Sequence, residues 1–327
     1  MNTLAPLSSL ETLAALNKAA SDTLRLSILQ LLGQGAFGVL ELCEVFAVKQ
    51  SSMSHHLKVL AQAGLVSTQR EGNSIFYRRP LLTADTPLNT WLKELFCTLD
   101  AAEQGFADEA VSAVLSERAQ ACAEFFSKHA HELKEKQDLI ASHTQYGAAL
   151  TKLLASLKAA GKISRQGQAL EIGPGEGLFL PDLAQQFHQV TALDNAEFML
   201  AQSQRVIASH ALKNVQTVLG ETNQLLPQQS GQYEFIVANM VLHHVPSPRH
   251  IFQDVSKLLA SGGTFLVTDL CRHEQSWAKE SCGDLWLGFE IEDLTQWAAD
   301  AGLNEGQSQF LGLRNGFQIQ FRLFDKS

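Results

Sequence analysis

Apolar positions in the first hundred residues recur at helical spacing in short runs, each bounded by its own stop. Behind a Ser21-Asp22-Thr23 cap, Leu24, Ile28, Leu31 and Leu32 share one face, and Gly33 with Gly35 ends that helix. Val39 to Phe46 predicts a second short helix. A third, capped by Ser51, carries Met53, Leu57, Leu60 and Ala61 inward and stops at Gly64, which turns Ser52, Ser54, His55 and Lys58 outward. The period then changes from helical to alternating. Leu65 to Arg70 and Ile75 to Arg79 predict two strands around Glu71-Gly72-Asn73-Ser74, a wing. Pro87 to Asp100 returns to helical spacing, with Leu88, Trp91, Leu92, Leu95 and Leu99 on one side. Residues 101 to about 165 read as charged helices that connect to the next domain and cover it.

From Ala169 onward, apolar strands alternate with helices, the pattern of a parallel sheet covered on both faces. The strands fall at Ala169 to Ile172, Gln189 to Leu193, Val215 to Leu219, Phe235 to Asn239 and Phe265 to Asp269. Gln309 to Leu311 and Phe317 to Leu323, around Arg314-Asn315-Gly316, form an antiparallel hairpin at the end. The expected fold class is α/β with an N-terminal, mostly α winged helix. Three domains are expected: a winged helix-turn-helix over 1–100, a helical connector and lid over 101–165, and a sheet domain over 166–327.

Charge sharpens the division. The chain of 327 residues carries a net charge of -9, yet residues 1–100 are balanced, with eight basic and eight acidic side chains. All of the excess lies beyond them. Within the balanced part, Lys49, Lys58, Arg70, Arg78 and Arg79 face only Glu71, a basic island of +4 and a footprint for a polyanion. No apolar run approaches the roughly 18 residues that cross a bilayer, and Met1 to Leu16 lacks the basic start of a signal peptide. A cytoplasmic protein with no membrane partner is expected. The five cysteines, Cys43, Cys97, Cys122, Cys271 and Cys282, form no CxxC pair, which fits reduced thiols.

A recognition helix needs short polar groups for base edges and a cation for phosphate on its outer face. Gln50, Ser51, Ser52, Ser54, His55 and Lys58 supply that face, and Arg70, Asn73, Tyr77 and Arg78 on the wing would reach sugar-phosphate or the minor groove. His56 lies nearer the apolar side and reads equally as a packing histidine or a DNA contact. The segments Leu24-Arg25-Leu26-Ser27-Ile28-Leu29 and Ser54-His55-His56-Leu57-Lys58-Val59-Leu60-Ala61-Gln62-Ala63-Gly64-Leu65-Val66 resemble the ArsR-type winged-helix repressors over about residues 10–100. That resemblance implies a homodimer, with Leu88 to Leu99 and the first helix at its interface, on a near-palindromic double-stranded operator. A winged helix used only for protein contact is the competing reading. Metal-sensing members carry paired cysteines near Glu41-Leu42-Cys43-Glu44-Val45, where Cys43 here stands alone, and the last helix shows no His/Asp pair. No metal site is expected.

Leu170-Glu171-Ile172-Gly173-Pro174-Gly175-Glu176-Gly177 follows a strand and opens a helix, a bend whose glycines let backbone approach a ligand. Carboxylates flanking it would repel a pyrophosphate and suit the ammonium of a methionyl group, which favours S-adenosylmethionine (SAM) or S-adenosylhomocysteine (SAH) over a dinucleotide. Asp194 ends the second strand, 17 residues after Gly177, placed to accept both ribose hydroxyls. Asn195 adjoins it, Met199 would pack near ribose or adenine, Glu221 and Thr222 follow the third strand, and Asn239 and Met240 end the fourth. Residues 169 to about 270 resemble class I SAM-dependent methyltransferases through that glycine bend, Leu193-Asp194, Ala238-Asn239-Met240-Val241-Leu242-His243-His244-Val245 and Leu259-Ala260-Ser261-Gly262-Gly263-Thr264. A Rossmann-like seven-stranded sheet is implied. With Asp138-Leu139-Ile140-Ala141-Ser142 and Gly283-Asp284-Leu285-Trp286-Leu287-Gly288-Phe289, nearly the whole chain is similar to fused regulators, some of which respond to SAH and control methionine-cycle genes.

Two functions follow. The first is a DNA-binding transcriptional regulator whose methyltransferase-like domain takes SAM or SAH as effector. The alternative is an active SAM-dependent methyltransferase acting on a small molecule, with an autoregulatory DNA-binding domain. Methyl transfer depends mainly on alignment, so it demands no nucleophile. His243 and His244 are the catalytic candidates, and Trp277 and Trp286 could wall an acceptor pocket. Arsenite methylation would need clustered thiols, and only Cys271 and Cys282 lie near the sheet.

Overall fold

The computed structural model describes residues 10–129 and 133–327. Of the segment Met1 to Leu16 read for a targeting signal, residues 1–9 lie outside the described residues. The chain divides into two compact units, 1–120 and 121–327. The division falls within one helix rather than near residues 100 and 165, because Val111 and Val114 join the first hydrophobic core while Leu150, Leu153 and Leu154 join the second.

The first unit contains α1 (Leu10–Ala20), α2 (Thr23–Leu31), β1 (Phe37–Gly38), α3 (Val39–Phe46), α4 (Gln50–Gln62), β2 (Ser67–Glu71), β3 (Ser74–Arg78), α5 (Pro87–Ala101) and most of α6 (Asp108–His129). Asp22 caps α2 as its position predicts, accepting from the Arg25 backbone N–H at 2.9 Å. Met53, Leu57 and Leu60 are fully buried against α2 and α3, the two-helix packing that the apolar spacing dictates. Ser51 is not the cap of α4. The carbonyl of Lys49 already accepts from Ser52 and Met53, so the helix starts two residues earlier and Ser51 sits exposed in its first turn. The wing also has a third strand, the two-residue β1, paired antiparallel to β3 in the order β1-β3-β2. Two residues are too short a run to show a period.

One buried cation ties this unit together. Arg118 on α6 donates to both carboxylate oxygens of Glu41 on α3 at 2.6 Å and to the carbonyl of Ala36 at 2.9 Å. Its guanidinium also lies 5.2 Å from the ring centres of Phe37 and Phe76, so one side chain joins the helix-turn-helix, wing strands β1 and β3, and α6.

The second unit begins with the rest of α6, α7 (Leu133–Ala141) and α8 (His143–Ala159). The sheet domain follows: β4 (Gln168–Ile172), α9 (Leu180–Gln186), β5 (Gln189–Asp194), α10 (Glu197–Ser209), β6 (Val215–Leu219), α11 (Thr222–Gln229), β7 (Tyr233–Asn239), α12 (Pro248–Leu258), β8 (Leu259–Leu270), α13 (Trp277–Cys282), α14 (Ile291–Asp300), β9 (Leu303–Gly312) and β10 (Gln318–Lys326). Seven strands lie in the order β6-β5-β4-β7-β8-β10-β9; the first five run parallel and β10 is antiparallel to both neighbours. The strand order reverses at β4, and ligands of open α/β sheets bind in the crevice beyond the carboxyl ends of the strands there. Arg322 of β10 is fully buried and bonds Glu305 at 2.6 Å and Thr295 at 2.7 Å, which fastens the terminal hairpin to α14. No helix among the described residues is long and apolar enough to cross a membrane.

Replacing Arg118 with alanine strands Glu41 and is expected to cost the first unit about 3 kcal/mol, the magnitude for removing one member of a buried pair. Faster amide exchange in β1 and β3, followed by mass spectrometry, is the expected readout. Wild-type protection in both strands would contradict this role for the cation.

Candidate functional site

Register builds the crevice. Ile172 pairs with Leu193 on one side and Ala238 on the other, so the next position of each strand brings Gly173, Asp194 and Asn239 to one edge of the sheet. Gly173 has φ +62°, and a Cβ there would meet Val241 Cγ2 at 2.3 Å, so no side chain is tolerated where the chain leaves β4. Gly175 differs. At φ +56° an added Cβ meets nothing within 4 Å. The bend is pinned by Ser203, whose hydroxyl donates to the Gly175 carbonyl at 2.8 Å.

Acceptors line the crevice. Asp194, buried at the end of β5, accepts from the Ala196 backbone N–H at 2.9 Å and from the Gly175 backbone, yet burial outweighs these bonds and raises its carboxyl to about 6. Glu171 is pushed up to about 8 by burial, against the pull of the Asn239 amide, which donates to it at 3.2 Å. Glu171 Oε2 and Asn239 Oδ1 are buried acceptor atoms with no hydrogen-bond partner among the described residues. Met240 holds φ +50°, rare for a residue with a side chain, while its N–H donates to Thr268 at 2.7 Å. That strained turn carries the chain into a short 3-10 segment, Leu242–His244.

The other sequence-derived positions divide. Gly177, Asn195 and Met199 fall on the bend or at the start of α10, beside Asp194. Glu221 is exposed at the cap position of α11, and its N–H bonds Gln224. Thr222 turns away: its buried hydroxyl donates to Asp254 of α12 at 2.6 Å, a helix-helix tie. Trp286 is buried with its indole N–H on the Val245 carbonyl, whereas Trp277 is partly exposed. Cys271 and Cys282 are free thiols that burial raises to about 11 and about 12.

His243 and His244 are both buried, and they lie among acids that the sequence did not single out. Asp269, at 0% exposure, accepts from His243 Nδ1 at 2.6 Å and from the backbone N–H groups of Leu242 and Leu270. Burial alone would lower the His243 imidazole, but the charges of Asp269 and Asp284 prevail and hold it at about 9. Burial, then the neighbouring His243, drive His244 the opposite way, well below the usual range. Asp269 was detectable on the same ground as Asp194, as a carboxylate where an apolar strand ends. Asp284 gives no local signal, because it approaches the histidines from a loop 40 residues later. Phe198 and Leu219, exposed apolar side chains at the carboxyl-end rim of β5 and β6, are further positions the sequence reading passed over.

In the first unit, Gln50, Ser51, Ser52, Ser54, His55 and Lys58 are all exposed on α4, opposite the buried Met53, Leu57 and Leu60. Arg70 and Asn73 are exposed at the wing and Tyr77 and Arg78 half-buried. His56 is half-buried with Nδ1 3.8 Å from Asp22, on the packing side. Arg79, counted in the basic island, is consumed by the fold: it forms two bonds to Asp100, at 2.6 and 2.9 Å, and one to the Leu29 carbonyl at 2.8 Å.

A methyltransferase-domain family profile matches residues 141–306, and a helix-turn-helix profile matches residues 20–69. Among curated proteins, a ubiquinone biosynthesis O-methyltransferase of Erwinia tasmaniensis is 30% identical over 113 residues, 34% of this chain and 45% of that protein. The chain thus spans about half the length of such methyltransferase relatives. An arsenical resistance operon repressor of Staphylococcus aureus is 39% identical over 70 residues, 21% of this chain and 67% of that protein. Among solved structures, a putative sarcosine dimethylglycine methyltransferase from Galdieria sulphuraria aligns with TM-score 0.48 at 16% identity, over 55% of this chain and 86% of that one. With the glycine bend at the sheet's reversal point and these matches on the two sides of residue 120, the chain belongs to the methyltransferase-domain family and carries an ArsR-type helix-turn-helix domain ahead of it.

Proposed function

We propose that this protein is a cytoplasmic DNA-binding transcriptional regulator that takes SAM or SAH as its effector. The observation that carries the reading is the set of buried acceptors at the carboxyl ends of β4, β5 and β7, Glu171, Asp194 and Asn239, beside a glycine bend whose Gly175 backbone bonds Asp194 and would leave an added Cβ in open space. The chemistry fits an adenosyl amino acid. Two orphaned buried acceptors, Glu171 Oε2 and Asn239 Oδ1, suit the protons of an α-ammonium group, and Asp194 suits the ribose hydroxyls. Asn195 and Met199 flank the ribose, Met240 faces the sulfur, and Phe198 with Leu219 offer apolar cover for adenine. Glu221 contributes at the adenine edge; Thr222, turned to Asp254, leaves the set.

The exposed row Gln50, Ser51, Ser52, Ser54, His55 and Lys58 enters the major groove, with Arg70, Asn73, Tyr77 and Arg78 on the flanking backbone. A homodimer places two such rows on a near-palindromic operator. SAM and SAH differ by a methyl group and a positive charge, so the effector acts by preferring one conformation of the regulator over another. One helix is available to carry that preference. α6 supplies Arg118 to the wing clamp of the first unit, and its Cys122 and Phe126 contact His244 in the second. The second reading, an active methyltransferase on a small acceptor, is favoured by the buried His243–Asp269 pair, a proton-holding group next to the strained Met240 turn. SAH formation from SAM in a screen of small acceptors separates the two.

The central test is an operator mobility-shift titration. Saturating SAM or SAH should change operator affinity at least tenfold, and no change with either would remove the regulator reading. Gly175→Ala should weaken SAH binding at least tenfold in calorimetry, about 1.4 kcal/mol. Gly161→Ala is the control, because it imposes comparable left-handed strain in open space ahead of β4, whereas the bend follows that strand. Equal losses in both would assign the effect to backbone strain. On the DNA side, Lys58→Ala and Arg70→Ala should each reduce the slope of log affinity against log salt by about 0.9, as one phosphate contact does, while His56→Gln leaves it unchanged.

The raised carboxyls set the pH dependence. Asp194 at about 6 and Glu171 at about 8 hold protons in the folded protein that the unfolded chain has already lost, so both cost stability as pH rises through those values. A ligand that donates to the carboxylates favours their ionised forms. SAH affinity is therefore expected to rise between pH 6 and 8, with proton release measurable by calorimetry in buffers of different ionisation heat. Affinity that is flat or falling over that range would mean that these acids do not face the ligand.

A further inference from the structure

Behind the crevice, His243, His244 and Asp284 form a cluster that neither the regulator nor the methyltransferase reading uses as a set. Each offers one ligand atom within 4.8 Å of the others, and all three are buried. His243 Nε2 lies 3.9 Å from Asp284 Oδ1, and His244 Nδ1 lies 3.8 Å from the same oxygen. These separations are too long for hydrogen bonds. They are close to the spacing of two ligands on one ion, since metal bonds of about 2.1 Å in tetrahedral geometry set ligands roughly 3.4 Å apart.

The surroundings are arranged as metal ligands require. Asp269 accepts from His243 Nδ1 at 2.6 Å and is itself held by the N–H groups of Leu242 and Leu270, which fixes the ring and aims Nε2 at Asp284. A carboxylate behind a histidine, orienting it from the far nitrogen, is the usual support of a ligating imidazole. The ring of His244 is held by Phe126, with ring centres 4.9 Å apart, and by the Gly283 carbonyl 3.3 Å from its Nδ1, which leaves Nε2, buried without a hydrogen-bond partner, as the nitrogen free to ligate.

We infer that His243, His244 and Asp284 form a binding site for a divalent first-row transition cation of the zinc class, with Asp269 as its outer support. Three protein ligands of mixed nitrogen and oxygen character suit Zn2+ and Co2+ and leave a coordination position open for an oxygen or sulfur of a small molecule. The histidines follow Asn239 and Met240 directly in the chain, so that small molecule would bind next to the residues that line the crevice. This departs from the expectation of no metal drawn from the sequence, where only spaced cysteines and the last helix were tested for ligands.

Chelator-treated full-length protein, with exposed Cys97 replaced by serine to remove an adventitious thiol, is titrated with Co2+ and then with Zn2+ against a chromophoric chelator. The expected result is one Co2+ per chain with visible d–d absorption and no sulfur charge-transfer band, displaced by one Zn2+. His244→Ala and Asp284→Asn should each weaken Zn2+ binding at least 100-fold. Asp269→Asn should weaken it about 10- to 100-fold, as loss of an outer support does. Less than 0.1 equivalent of Co2+ bound at micromolar protein, or variants that bind as the parent does, would overturn the site. Should a variant fail to fold by circular dichroism, the parent decides alone: stoichiometric Zn2+ must raise its melting temperature, and an unchanged melt refutes the proposal. SAH binding does not enter this readout, so the effector reading stands or falls separately.

Discussion

The parallel register of β4 between β5 and β7 is the constraint from which the second unit's chemistry follows. Residues one step past the ends of three strands, Gly173, Asp194 and Asn239, converge only because Ile172 lies level with Leu193 and with Ala238. Parallel strands are packed by apolar side chains on both faces, and a slip of one residue would move Asp194 or Asn239 out of line with Gly173. The reversal of strand order at β4 then opens the crevice that the register has lined. Sheet stability and ligand chemistry are in this sense one property of the same strands.

Burying acids at such an edge has an energetic cost, and the fold meets it in different ways. Around Glu171 and Asp194 the carboxyls are raised toward neutrality and retain unsatisfied acceptor atoms, the condition of a site awaiting donors. Around His243 the acids are matched by imidazole, with Asp269 saturated by two backbone N–H groups. The two regions share the Asn239-to-His244 segment, strained at Met240. In the first unit, cations are instead spent on structure: Arg118 on Glu41 and Arg79 on Asp100 leave the exposed face of α4 and the wing to carry the polyanion footprint.

Much of the fold was legible because local pattern and tertiary role coincide. Val39–Phe46 and Val215–Leu219 stand at their predicted bounds, and Asp22 caps α2 where its side chain can reach a free N–H. The misreadings fall where partners are distant or the segment is short. Ser51 carries a cap signature but the carbonyl of Lys49 already closes the first turn; β1 is two residues long; Thr222 follows a strand end yet bonds a helix 32 residues away. Arg79 counted as surface charge because nothing near it in the chain names Asp100 as its partner.

Apolar period, capping residues and glycine placement, all local properties of the backbone, determined by themselves that this chain forms a winged helix-turn-helix followed by a doubly covered parallel sheet with a glycine bend after its first strand. Only the tertiary structure decided which polar groups are consumed and which are left over. It withdrew Arg79 and Thr222, supplied Asp269 and Asp284 to the histidines, and left Glu171 Oε2 and Asn239 Oδ1 without donors. The reason is physical: the ionisation and hydrogen-bonding state of a buried group depends on neighbours brought together across tens of residues, and no short window of sequence contains them.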